Sequence, residues 1–68
     1  MDKAQLIELI EYRRIGKGLR VTQAARAAGI NQATWQRMSK GDIQPSWDML
    51  FTMAASLGLD VGVYIHGR

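Results

Sequence analysis

The sequence predicts a mainly α domain, with four short helices packed compactly and a β-strand at the C-terminus. Three observations carry that expectation. Apolar residues recur at helical spacing in four separate stretches. The second and third stretches have hardly any loop between them, so the helices they form must cross steeply. After Leu59 the apolar spacing shortens to every second residue, which is the period of a strand.

The first helix is expected from about residue 3 to residue 15. Asp2 followed by Gln5 reads as an N-cap with its capping-box partner, and Leu6, Leu9 and Ile10 supply an apolar stripe. "GKG" then breaks the pattern. The second helix occupies "TQAARAA", with Thr22 in the position of a cap and Gly29 as the stop. The third begins after Ile30, capped by Asn31, and ends near Lys40 and Gly41. "QPSWDML" opens the fourth. Pro45 and Ser46 are start signals there, and Asp48 complements the positive end of the helix dipole. Trp47, Leu50, Phe51, Ala54 and Leu57 form its apolar stripe, and Gly58 ends it.

In the tail, Leu59, Val61, Val63 and Ile65 alternate with Asp60, Gly62, Tyr64 and His66. Nothing else in the chain reads as a strand, and a lone strand leaves its backbone donors and acceptors unpaired. The economical partner is the same strand of a second protomer, antiparallel across a two-fold axis. The alternative is a frayed tail whose valines pack on the fourth helix.

Sixty-eight residues make one domain at most, near the lower limit of what folds alone, and no cysteine is present to staple it. A net charge of +3 suits a polyanionic partner and equally suits simple solubility. No apolar run approaches the ~20 residues needed to span a bilayer. The start "MDKAQLIELIEYRR" carries acids and lacks a small-residue cleavage site, so it does not read as a signal peptide. A cytoplasmic protein is expected, nucleoid-associated if bacterial, with no membrane partner.

Catalysis is not expected. His66 is the single histidine, and Asp2, Glu8, Glu11, Asp42, Asp48 and Asp60 are scattered without ligand spacing. No metal or cofactor follows from these residues. Glu8 and Glu11 read as the solvated face of the first helix, and Met38, Met49 and Met53 as core. Ile7 and Met49 are candidates for apolar residues left exposed once the core is filled.

The third helix is the unusual one. In "GINQATWQRMSKG" only Ile30, Trp35 and Met38 suit burial, while Asn31, Gln32, Thr34, Gln36 and Arg37 bristle with hydrogen-bonding groups. On residues 18–59 the chain resembles the lambda-repressor-like helix-turn-helix family, the Cro/C1-type or XRE regulators. "GLRVTQAARAAGINQATWQRMSKG" matches that family's register without a gap, with Ala25 as the small residue where two helices touch and Gly29 and Ile30 as the turn. "PSWDMLFTMAASLG" matches its fourth helix. The alternating tail is similar to that of small antitoxin members, where it builds the dimer.

The resemblance implies a helix-turn-helix DNA-binding domain over residues 1–58 and a dimerisation tail over residues 59–68. It places the third helix in the major groove of double-stranded DNA, with Asn31, Gln32, Ala33, Gln36 and Arg37 towards base edges. Phosphate contacts are assigned to Arg20, Thr22, Gln23, Thr34, Lys40 and Lys17, and the dimer strand to Leu59, Val61, Val63 and Ile65. Taken singly, the polar residues of the third helix also fit a solvated face.

Two departures from the family stand out. Val21 replaces the glutamine that opens the second helix, and Arg20 replaces its Thr/Ser cap. Either the helix begins later, capped by Thr22, or Arg20 takes over the phosphate. Ala24 and Ala28 replace leucines while Trp35 replaces Ile or Val, a volume exchange that predicts a Trp35 buried against the second helix. The competing placement is an exposed Trp35 stacking on the nucleic acid. The function these features imply is a homodimeric transcription regulator, a repressor or autoregulator reading a palindromic operator. One competing class is a module whose main act is to cover a protein partner, as an antitoxin or antirepressor covers a toxin or another regulator. An architectural factor that bends DNA with weak base preference is a further one.

Overall fold

Three of the helix starts anticipated from the sequence form through side-chain caps. Asp2 accepts from the Gln5 amide at 2.8 Å and Gln5 returns a bond to the Asp2 amide at 3.0 Å. Asn31 accepts from the Ala33 amide at 2.8 Å, and Ser46 from the Met49 amide at 3.1 Å. In the computed structural model, which describes residues 2–60, these caps open α1 (Lys3–Gly16), α3 (Gln32–Lys40) and α4 (Trp47–Ser56). The remaining helix, α2 (Val21–Ala28), starts earlier than Thr22, which lies inside its first turn. Arg20 occupies the cap position, and Gln23 accepts from its amide at 2.8 Å. Arginine has no acceptor with which to return that bond, so the capping box is half made.

Gly29 makes the short α2–α3 junction possible. Its φ of 72° is left-handed, where a Cβ costs roughly 1–2 kcal/mol. In this conformation the Gly29 amide donates to the Arg26 carbonyl at 3.1 Å and the Ile30 amide to the Ala25 carbonyl at 2.9 Å. The same closure ends α4 at Gly58, where the Leu59 amide donates to the Ala54 carbonyl at 2.9 Å. Leu59 is half-buried against the core, so the predicted tail begins as part of a helix cap.

The core is drawn from all four helices: Leu6 and Ile10, Ala24 and Ala25, Trp35 and Met38, then Leu50, Met53, Ala54 and Leu57. Both α3 and α4 pack on α1 and α2. Trp35 is fully buried in the same cluster as Ala24, and Ala28 is half-buried against that cluster, in keeping with the exchange of volumes. Among the described residues there is no strand, and no helix is long and apolar enough to cross a membrane. Val61, Val63 and Ile65, with the cross-dimer pairing expected of them, lie outside the described residues.

Two expectations about apolar surface are corrected. Ile7 and Met49 pack against the core and are half-buried. Among the described residues, the exposed large apolar ones are instead Tyr12 at 79%, Ile15 at 64% and Trp47 at 37%. Trp47, expected within the stripe of α4, sits at its rim. Its ring lies 5.9 Å from that of Phe51, and Lys3 Nζ stands over the Trp47 ring, 5.6 Å from its centroid.

Candidate nucleic-acid interface

Helical geometry divides α3 in two. At about 100° per residue, Gln32, Ala33, Gln36, Arg37 and Lys40 share one side and Trp35 and Met38 the other. Burial follows that division: the first five are exposed and the last two fully buried. Thr34 is half-buried at the margin between the two sides. Asn31 is exposed, but its amide oxygen is committed to the cap, leaving only the Nδ2 donors for anything outside the protein.

What holds this helix in place was missed in the sequence. A buried indole needs a partner for its N–H, and Trp35 Nε1 donates to Glu11 Oε2 at 2.8 Å. Glu11 therefore does not belong to the solvated face of α1, whereas Glu8 does. Arg14 grips the same carboxylate with two bonds of 2.9 Å and reaches the Leu19 carbonyl with Nη1 at 2.6 Å. One cluster thus ties α3 to α1 and to the residue just before the Arg20 cap. The signal in the sequence was the Glu11–Arg14 spacing of three, which a surface pair displays equally well.

The electrostatics of the cluster are self-consistent. Partial burial works to raise the Glu11 pKa. Hydrogen bonds from Arg14 and Trp35, with the charge of Arg14, outweigh it and hold the carboxyl below its ordinary value. The bond to Glu11 correspondingly raises the Arg14 pKa.

The basic side chains at residues 13, 14, 17 and 20 divide in the same way. Arg14 is spent on Glu11, and Arg13 Nε donates to the Leu57 carbonyl at 3.2 Å. Lys17 and Arg20 stay exposed, as do Thr22 and Gln23 in the first turn of α2. No side chain accepts from the first amides of that helix. With Gln23 Oε1 occupied by the Arg20 amide, its Nε2 is left to donate outward.

A family model described as a helix-turn-helix domain matches residues 5–63. No curated protein and no solved structure matches the chain. The matched span takes in the α2–Gly29–α3 pair and the two helices that support it, and the chain belongs to the helix-turn-helix domain family, in keeping with its likeness to the lambda-repressor-like regulators.

Proposed function

We propose that the protein is a sequence-specific regulator of transcription that binds double-stranded DNA as a homodimer, acting as a repressor or autoregulator where its operator overlaps a promoter. Membership of the helix-turn-helix family supports the DNA-binding class. The observation that carries the finer reading is the exposed side of α3, where Gln32, Ala33, Gln36 and Arg37 follow directly on the turn at Gly29. A helix set in the major groove must be apolar behind and rich in amide and guanidinium groups in front.

In that pose Gln32 pairs bidentately with adenine N6 and N7, and Arg37 forks onto guanine O6 and N7. Ala33 meets a thymine methyl, and Gln36, one turn beyond Gln32, takes the next base step. Asn31 contributes donors only. A phosphate sits at the uncapped start of α2, where the free amides and the helix dipole favour an anion. Thr22, Gln23 Nε2 and Arg20 surround it, while Lys17, Lys40 and Thr34 flank the docked face. Two protomers joined through residues 61–65 set their third helices about 34 Å apart, one turn of the duplex.

A second reading, a domain that chiefly holds a protein partner, is favoured by an open groove lined by Ala4, Ile7, Ile43 and Trp47. Selection from a random pool of double-stranded DNA at near-physiological salt separates the two. Enrichment of a palindrome with half-sites ~10 base pairs apart is expected. Gln32→Ala then loses preference at one position of each half-site. A folded protein that enriches no sequence would sink the reading and leave the partner-binding one.

A further inference from the structure

Asn31 serves its own helix before it serves any ligand, and the first task limits the second. Its backbone is extended, and its side-chain oxygen accepts from the Ala33 amide at 2.8 Å as the cap of α3. A backbone N–H bonds only to an acceptor, so the oxygen of the amide faces the helix and the NH2 group faces away. Asn31 is exposed, and the exposed side of α3 begins at the next residue. The same commitment recurs on α2, where Gln23 Oε1 accepts from the Arg20 amide and leaves Nε2 outward. Neither helix of the pair contains a carboxylate. By contrast, Gln32 and Gln36 stand exposed within α3 and cap nothing, so each keeps carbonyl and NH2 together.

In the major groove the usual partner of an asparagine is adenine, because a free amide accepts from N6 while donating to N7. Asn31 has no oxygen left for N6. Turning its amide over would set NH2 against the Ala33 N–H, donor against donor, and open the cap. Against adenine the outward NH2 meets the N7 acceptor on one side and the N6 donors on the other. Against guanine it meets N7 and O6, two adjacent acceptors. Cytosine N4 is a donor, and thymine O4 is a single acceptor with the N6 donors of its paired adenine alongside.

We propose that Asn31 is a guanine-reading residue: held by its cap, it donates through Nδ2 to N7 and O6 of a guanine in each half-site and disfavours adenine there. This rests on the reading of α3 as the helix that meets the bases. It divides the exposed side by chemistry, with guanine opposite Asn31 and adenine opposite Gln32. The division follows from where the fold spends each oxygen, since the two side chains carry the same amide.

Serine and aspartate cap a helix about as well as asparagine. Asn31→Ser and Asn31→Asp therefore remove the Nδ2 donors and keep the cap, which an unchanged melting temperature verifies. Should one variant melt early, the other carries the test. The DNA sequence that the natural protein enriches is changed one base pair at a time, and binding is measured for all three proteins. At one position of the half-site the natural protein should prefer guanine over adenine by at least about fivefold, the low end of a good base contact. Asn31→Ser should be indifferent there to within about twofold, having no side chain long enough to donate to both acceptors. Asn31→Asp, whose outer oxygen only accepts, should turn the preference towards adenine or cytosine. Its added charge weakens binding to every sequence alike and cancels in the ratio. A position relaxed by Asn31→Ser at which the natural protein prefers adenine would overturn the proposal. So would a loss of affinity spread evenly over all sequences, which assigns Nδ2 to a phosphate. A natural protein that enriches no sequence removes the base-reading function itself, a failure distinct from either of these, and the proposal goes with it.

Discussion

Trp35 performs two tasks that can be taken apart. Its indole is buried in the core cluster that holds Ala24 and against which Ala28 packs, and its N–H anchors α3 to Glu11. Trp35→Ala should cost ~3–5 kcal/mol, as for other large buried aromatics. Trp35→Phe keeps most of the volume and leaves Glu11 short of a donor, so about 1–2 kcal/mol is expected in chemical denaturation. Glu11→Gln should add a pH signature. The folded carboxyl has a depressed pKa, so its contribution is complete above the ordinary glutamate value and is lost as pH falls through the lower folded one. The gap in melting temperature between the natural protein and Glu11→Gln should therefore be constant near neutrality and close in strong acid. A gap that persists there would mean the carboxylate charge is not what the cluster uses. Burial of Trp35 was legible from Ala24 and Ala28 standing where the resembled family has leucines, because volume must be conserved. Its acceptor was not legible, because a glutamate beside an arginine looks the same whether it faces water or an indole.

At the level of helices, local chemistry was enough wherever side chain and backbone agreed. Asp2, Asn31 and Ser46 announced α1, α3 and α4, and each caps its helix. The start of α2 was misplaced because Thr22 is the better cap by type, whereas Val21 is half-buried against the core and packing draws it into the helix. The outcome is a helix that begins on an arginine, with its first amides facing outward. Arg20→Asp should complete the capping box with Gln23 and add about 0.5–1 kcal/mol of stability. The same change places a carboxylate where the proposed phosphate sits. We expect a higher melting temperature together with weaker DNA binding at every sequence and a shallower salt dependence. Unchanged affinity in the stabilised variant would remove the phosphate from the start of α2. Gly29→Ala tests the junction itself: a Cβ in the left-handed region should cost roughly 1–2 kcal/mol, measured as a lower denaturant midpoint.

Over the whole molecule, the tail is where sequence reasoning reached least far. Alternation reports that one face of residues 59–65 is apolar, but the period of two is the same whether that face meets α1, α4 or another chain. The position of Leu59, with its amide on the Ala54 carbonyl, accounts for the first of these residues as a cap. Val61, Val63 and Ile65 lie outside the described residues. The four helices bury a shared core, and no buried side-chain polar atom among the described residues lacks a partner. A chain ending at Asp60 should accordingly keep its helical circular dichroism and sediment as a monomer. Its affinity for a full operator should fall by at least a hundredfold, because two linked half-sites gain about 10²–10⁴ over one. Binding to an isolated half-site should change little, since the exposed side of α3 is untouched. A truncated chain that remains dimeric would move the interface onto the helices, where Trp47 and the groove beside Ile7 and Ile43 become the surface to mutate.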